Sequence, residues 1–127
     1  MQSHSGLIIY IAMVMQLDNR ECRLLADYFT LFGSGTRLQV FCALQGGRKT
    51  VSELAEHAEV SLQNVSQHLR LMREKGAVAT EKEGQHVYYS VVDQRLLQGA
   101  CLIRDALLDA TRRRASEVLR YAEAETR

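Results

Sequence analysis

Two short amphipathic segments joined by a tight break, and followed directly by an alternating segment, constrain the fold of this 127-residue chain more than any other feature. The first runs from Thr50 to Glu59, with Thr50 or Ser52 as its cap, and places apolar residues three and four positions apart. Ser61 can cap the second, which closes at Gly76 and has the apolar stripe Leu62, Val65, Leu69 and Met72. Two such helices, the second with a polar outer face, are typical of a helix-turn-helix.

The segment that begins at Ala77 changes to a period of two, which is the period of a β-strand. Val78 and Thr80 lead into a turn at Gly84, and a β-branched and aromatic stretch over residues 87–92 follows. The pattern predicts a β-hairpin, and its place directly after a helix-turn-helix is that of a wing.

Helical patterns also flank this unit. A first helix is predicted from Leu17 to Phe32, a second from a Thr36 cap to the stop at Gly46 and Gly47, and a last one from Asp93 to the C-terminus. The last helix is longer than a small domain can cover, so we expect it to pack on a second copy of the chain. The predicted fold is mainly α with a small β-hairpin: a winged helix-turn-helix with four helices before the hairpin and one after it, dimeric through its first and last helices.

Residues 1–16 are predicted to be an N-terminal extension to a DNA-binding and dimerisation domain at 17–127. The nine apolar residues from Leu7 to Met15 are too few for a membrane span, which needs ~20 residues. They also lack the basic start and the cleavage site of a signal peptide. Two interpretations stay open: an extra apolar helical turn packed on the dimer, or residues upstream of a start at Met13 or Met15.

Composition narrows the class of protein. Lys and Arg number 16 against 15 Asp and Glu, and between Gly46 and Ser90 the count is six against six, so any DNA affinity must come from local placement. An enzyme is not expected, because there is no glycine-rich phosphate loop, no HExxH motif and no cluster among the four histidines.

Three cysteines without a CxxC pair or a secretory signal favour reduced thiols and a cytoplasmic location. No membrane partner is expected.

Four motifs together resemble the ArsR/SmtB family of repressors. Thr36-Arg37-Leu38 with the apolar run to Leu44 is similar to the start of the family's second helix, and Val51–Ala55 is similar to its third. Ser61–Met72 resembles the recognition helix, and Glu83–Ser90 resembles the wing. The motifs keep the family's order over about residues 20 to 110. The resemblance implies a homodimeric transcriptional repressor that binds operator DNA until a small chemical signal releases it.

The helix-turn-helix geometry would place the second helix of the motif in the major groove. Glutamine and asparagine can pair with adenine, and arginine can pair with guanine or hold a phosphate. His68 has two interpretations, a DNA contact or support of the helix from its inner side. At the wing, Glu81 and Glu83 would oppose a close approach to DNA. The candidate DNA-binding residues are Ser61, Gln63, Asn64, Ser66, Gln67, His68 and Arg70 on the helix, and Lys82, Gln85 and His86 on the wing.

The resemblance also supplies tests for a sensing site. The family's thiolate metal site would need cysteines where this chain has Thr50 and Ser52. Its zinc site falls on Asp93, Arg95, Ala106 and Asp109, which offer two carboxylates and no imidazole, so no metal site is assigned.

The cysteines carry the remaining hypotheses. Cys42 lies where the family's sulfide and persulfide sensors have a reactive thiol, although their second cysteine corresponds to Leu108 and Cys101 lies seven residues earlier. A Cys42–Cys101 dithiol switch is one hypothesis, and a metal(loid) site that adds the thiolate of Cys22 is another. The alternatives are that the cysteines are small core residues, and that the chain is a winged-helix protein-interaction module.

Overall fold

The computed structural model describes residues 2–14 and 16–126, with side chains at 5–11 and 16–126. A start at Met15 lies outside the described residues, and so does the side chain of Met13. Within the described part, no helix is long and apolar enough to cross a bilayer. The elements are α1 (Gln2–Val14), α2 (Asn19–Phe29), a 3₁₀ turn (Thr30–Gly33), α3 (Gly35–Leu44), β1 (Lys49–Thr50), α4 (Val51–Ala58), α5 (Leu62–Glu74), β2 (Val78–Glu83), β3 (His86–Val91) and α6 (Arg95–Glu125).

The predicted winged helix-turn-helix is confirmed, with α4 and α5 as the two helices of the motif and β2–β3 as the wing. Helix α1 precedes the five predicted helices and is longer than the extra apolar helical turn that was one of the two interpretations of residues 1–16. Strand β1 was not predicted; it pairs antiparallel with β3, so that the hairpin becomes a three-stranded sheet of order β1-β3-β2. Strand β1 is only two residues long, too short for an alternating pattern to appear in the sequence.

The predicted helix ends needed three corrections. Ser34, not Thr36, caps α3, because its hydroxyl accepts from the Arg37 backbone N–H at 3.3 Å. The first amphipathic helix does not run unbroken to Phe32, because its last residues tighten into the 3₁₀ turn. The last helix begins at Arg95 rather than Asp93, whose carboxylate accepts from the Arg95 backbone N–H at 2.9 Å.

The turn between α4 and α5 is stabilised on both sides. Thr50 caps α4 in a capping box, in which Glu53 reaches back to the Thr50 backbone N–H. Glu59 then takes a left-handed backbone conformation, with φ 55°, and Ser61 caps α5 by accepting from the Asn64 backbone N–H at 3.1 Å. These contacts fix where α5 starts relative to α4.

The core is built from one face of each helix of the motif. Val65, Leu69 and Met72 of α5 have no exposed surface, and they pack with Leu54 of α4. Helix α3, the 3₁₀ turn, the start of α6 and the base of the sheet close the core with Leu31, Val40, Phe41, Leu44, Ala77, Val78 and Leu97. The polar face of α5 is therefore turned away from the core.

Helices α2 and α6 leave large apolar side chains exposed. Among them are Leu24 and Phe29 of α2, and Leu102, Leu107 and Val118 of α6. Helix α6 has 31 residues, a length of ~46 Å, and within it only Leu97 is buried. Exposed apolar surface on this scale marks an interaction surface.

We expect Leu69→Ala to lower the free energy of unfolding by about 2–5 kcal/mol, because it opens a cavity where α5 meets the core. Leu62→Ala on the same helix is the matched control: Leu62 is 53% exposed, and its loss should cost under about 1 kcal/mol. Urea unfolding of both variants at one protein concentration measures the difference. Equal losses would contradict the packing described here.

Candidate nucleic-acid interface

Helix α5 presents a row of exposed polar side chains. Gln63, Asn64, Ser66, Gln67 and Arg70 are all exposed, as their alternation with the buried stripe requires. Ser61 is exposed as well, but its hydroxyl is occupied as the helix cap. The first two turns of α5 thus carry amide donors and acceptors of the kind that pair with base edges.

His68 lies on the inner side of α5. It is half-buried, and its Nδ1 is 3.2 Å from a terminal guanidinium nitrogen of Arg37 on α3. The same guanidinium donates to the backbone carbonyls of Leu31 at 2.8 Å and Thr30 at 2.9 Å. Arg37 therefore joins the 3₁₀ turn to α5. The position of His68 is the one expected if this residue supports the helix from its inner side and does not contact DNA. Burial, and then the charge of Arg37, lower the pKa of His68.

A second contact ties the other end of α5 to α2. The ammonium of Lys75, at the C-cap of α5, lies 2.6 Å from the carboxylate of Asp27. Both side chains keep contact with solvent, so the pair contributes at most about 1 kcal/mol. Its position matters more than its strength, because it links the exposed apolar helix α2 to the recognition helix.

The wing has two chemically different faces. Side chains alternate along a strand, so Thr80 and Lys82 share one face with Tyr89, which packs against the core. The opposite face carries the candidate His86 together with Glu81 and Glu83. Lys82, His86 and Gln85 are all exposed. The two acidic residues are therefore on the face turned away from the core and from Tyr89.

Tyr89 of the wing and one side of α5 line an open cleft of about 500 Å³. Arg70 and Arg73 bring two guanidinium groups to it, and Glu74 brings one carboxylate. Ser66, Leu69 and Tyr89 complete the lining. A cleft with excess positive charge between a recognition helix and a wing suits a DNA backbone.

Arg48, which directly precedes β1, forms ion pairs with the acidic residues on the face of the wing that is turned away from the core, here called the outer face. Its guanidinium pairs with Glu81 at 3.3 Å and with Glu83, and it lies 4.2 Å from the centroid of the Tyr88 ring. These hydrogen bonds and charges, that of Glu83 first, raise the pKa of Arg48. Glu81 and Glu83 were expected to oppose DNA, and the structure shows both carboxylates paired.

The three cysteines lie on different helices and none is in a disulfide. Cys22 on α2 and Cys42 on α3 are exposed, and Cys101 on α6 is half-buried. Hydrogen bonding to Asp105 is the main cause that raises the pKa of Arg104, which lies on the same helix as Cys101.

The two carboxylates at the zinc positions are engaged with arginines. Asp93 is 2.7 Å from Arg95, whose hydrogen bonds lower the pKa of Asp93 to about 2. Asp109 lies 3.6 Å from Arg112. Among the described side chains, no group of three His, Cys, Asp or Glu could hold a metal ion.

Three features of this interface were missed by the sequence analysis: the Arg37–His68 contact, the part of Arg73 and Tyr89 in the cleft, and the pairing of Arg48 with the wing. Arg37 and His68 are 31 positions apart, and Arg48 is 33 and 35 positions from its two partners. No periodicity connects residues at such separations. Arg73 lies seven positions after Ser66 on the same flank of α5, and that spacing was the one available indication.

Sequence comparison matches this chain to a family of bacterial regulatory proteins and to two transcriptional regulators. Residues 34–80 match the family model described as "Bacterial regulatory protein, arsR family". The chain is 30% identical over 65 residues to the transcriptional repressor SdpR of Bacillus subtilis, covering 51% of this chain and 72% of SdpR. It is 31% identical over 93 residues to the regulator KmtR of Mycobacterium tuberculosis, covering 73% of this chain and 68% of KmtR.

A solved structure shows the same fold. The homodimeric winged helix-turn-helix DNA-binding domain from Mycobacterium bovis superposes with a TM-score of 0.64 at 23% identity. The match covers 75% of this chain and 94% of that domain, so about a quarter of the present chain lies outside the shared fold.

We expect the stability of the protein to fall as the pH drops below about 6.5, the ordinary pKa of histidine. Because the folded state lowers the pKa of His68, the unfolded chain binds this proton first, and protonation therefore favours unfolding. His68→Gln should flatten the dependence of the unfolding free energy on pH between about pH 7 and 5. The control is His57→Gln, at an exposed position of α4. If the unfolding free energies of His68→Gln and the wild type depend on pH in the same way, the contact between His68 and Arg37 is contradicted.

Proposed function

The chain belongs to the arsR family of bacterial regulatory proteins, and we propose that it represses transcription as a homodimer bound to operator DNA. The family consists of DNA-binding regulators and not of enzymes. The observation that carries the proposal is the exposed polar row of α5 beside the basic cleft, on a helix whose opposite side buries Val65, Leu69 and Met72.

The proposed DNA contacts follow from this arrangement. Gln63, Asn64 and Gln67 contact base edges in the major groove, where asparagine and glutamine pair with adenine. Ser66, Arg70 and Lys82 hold the backbone, and Gln85 and His86 at the tip of the wing meet the flanking phosphates or minor groove. Ser61 and His68 act on DNA indirectly, because one caps α5 and the other supports it through Arg37.

The homodimer is proposed from the apolar surface that the single chain leaves uncovered. Residues 17–127 form the DNA-binding and dimerisation domain, in which α2 and α6 of one copy pack on those of the other. Residues 1–16, with α1, extend it. The domain from Mycobacterium bovis is homodimeric, which supports the same assembly here. A two-fold dimer would present its two α5 helices about one turn of DNA apart, ~34–36 Å.

The signal that releases DNA is proposed to act on the thiols of Cys42 and Cys101. Cys42 lies on α3, which contributes to the core, and Cys101 lies on α6, which carries exposed apolar surface. In the proposed step, polysulfide oxidises the two thiols to a Cys42–Cys101 disulfide, a sulfur–sulfur bond of the polysulfide breaks, and its sulfur leaves as hydrosulfide with the two electrons and two protons. The bridged form would favour a dimer in which the two α5 helices no longer fit the operator. The alternative is a metal(loid) held by these thiolates together with that of Cys22.

DNA binding is tested with a labelled duplex that carries the sequence upstream of the protein's own gene. Wild-type protein should bind it as a dimer with an affinity that falls steeply with salt. Gln67→Ala should weaken binding by about 5–150-fold, the equivalent of ~1–3 kcal/mol per lost base contact. Fluorescence anisotropy measures both, and sedimentation in the same buffer gives the oligomeric state.

Gln39→Ala is the matched control, because Gln39 is exposed on α3, outside α5, the wing and the proposed dimer surface. It should bind like the wild type. A wild-type protein that is monomeric, or that ignores duplex DNA at ~50 mM salt, would overturn the proposal in favour of a protein-interaction module.

The thiol proposal is tested by comparing operator affinity of reduced protein, polysulfide-treated protein and the Cys42→Ser variant. Treatment should lower the affinity of the wild type by ~5–150-fold, the range of typical allosteric couplings. Cys42→Ser should not respond. Cys22→Ser distinguishes the alternatives, because it should respond like the wild type to polysulfide but lose any response to a thiophilic metal ion. Equal affinities for treated and reduced wild type would exclude the dithiol switch.

A further inference from the structure

The acidic outer face of the wing is held by a residue from outside the hairpin. Arg48 belongs to the connection between α3 and β1, and it reaches across the sheet to both Glu81 and Glu83. The ring of Tyr88 lies beneath its guanidinium at 4.2 Å. Three partners thus fix one exposed side chain on the outer face.

The alternation of the sheet explains why Arg48 reaches these partners. Glu81 is directly opposite Tyr88 on β3, and Tyr88 is opposite Thr50 on β1. Arg48 is two positions before Thr50, so it has the same face as Thr50, Tyr88 and the two glutamates. The short strand β1 therefore delivers the guanidinium to the acidic side of the wing.

The pairing changes the charge that the wing presents to DNA. Along β2, Lys82 lies between Glu81 and Glu83, so the hairpin alone carries one net negative charge in this stretch. Arg48 brings the total to zero. It also fixes the two carboxylates on the face away from the Arg70–Arg73 cleft, so that Lys82 is the charged group on the inner face of β2.

We propose that Arg48 is a positioning residue for DNA binding. It neutralises the charge of the Glu81 and Glu83 carboxylates and keeps them on the outer face, so that the wing can approach the phosphate backbone. The inference rests on the proposed repressor function. Arg48 makes no contact with DNA in this role, and it acts through the two glutamates.

The role is electrostatic rather than structural. Arg48, Glu81 and Glu83 keep 41%, 71% and 62% of their side-chain surface exposed, and such surface pairs contribute little to folding. The repulsion between unpaired carboxylates and phosphates is felt only when DNA is bound. It also declines as salt increases, because the Debye length is ~10 Å at 0.1 M salt.

The test compares binding of the upstream duplex by four proteins: wild type, Arg48→Gln, Glu81→Gln/Glu83→Gln, and the triple variant Arg48→Gln/Glu81→Gln/Glu83→Gln. Arg48→Gln should weaken binding by about threefold to tenfold at ~50 mM salt, with the loss shrinking as salt rises. The triple variant should regain at least wild-type affinity, because it has no carboxylates left to cancel. Gln39→Glu, at an exposed position of α3, matches the change in net charge and should bind like the wild type.

Restored binding in the triple variant, with unchanged thermal unfolding of all four proteins, supports the proposal. If Arg48→Gln binds as well as the wild type, the proposal is overturned. If the triple variant stays as weak as Arg48→Gln, Arg48 acts by touching phosphate itself, and the proposal is equally overturned. Absence of duplex binding by the wild type would instead refute the repressor function on which the inference rests.

Discussion

The burial of one stripe of α5 is the contact on which the rest of the molecule depends. Val65, Leu69 and Met72 are withdrawn fully from solvent against α3 and α4. Truncation of Leu69 or Met72 to alanine would cost about 2–5 kcal/mol, which is a large part of the stability of a small domain. Because these three residues must face inward, the helix has a single orientation, and its glutamine, asparagine and arginine side chains must face outward. The candidate DNA surface is therefore a consequence of core packing.

Polar contacts then decide how the recognition helix is connected to the rest of the chain. Arg37 joins the 3₁₀ turn to His68, and Lys75 joins α5 to Asp27 of α2. Each of these contacts is modest in energy, but together they tie both halves of α5 to the segment that carries exposed apolar surface. In the proposed dimer, a change in how α2 and α6 pair between two copies would reach α5 through these contacts. Such a change would provide the two states that the proposed release from DNA requires.

The wing shows the same division between packing and charge. Tyr89 and Val91 pack against the core and hold the sheet in place, while Arg48 and Lys82 set the charge of its two faces. The chain carries a net charge of only +1, so affinity for a polyanion has to come from where charges lie and, in the proposed dimer, from their duplication. In the role proposed for Arg48, pairing Glu81 and Glu83 on the outer face serves this purpose.

Much of the fold could be predicted because it depends on local patterns. The spacing of apolar residues in α4 and α5, the caps Thr50 and Ser61, and the change of period at Ala77 each require only neighbours along the chain. The outward row of α5 followed from the same spacing. Helix ends were less well predicted, since Ser34 and Thr36 are both able to cap and the choice depends on the geometry of the 3₁₀ turn.

The sequence by itself determined the order of helices and strands, the buried stripe of α5 and the polar residues opposite it, because period and capping are encoded within a few residues. Only the tertiary structure decided that His68 faces Arg37, that β1 joins the wing and that Arg48 pairs with Glu81 and Glu83. These contacts join residues about thirty positions apart. Their partners are chosen by the way the helices and the sheet pack, and no local pattern records that choice.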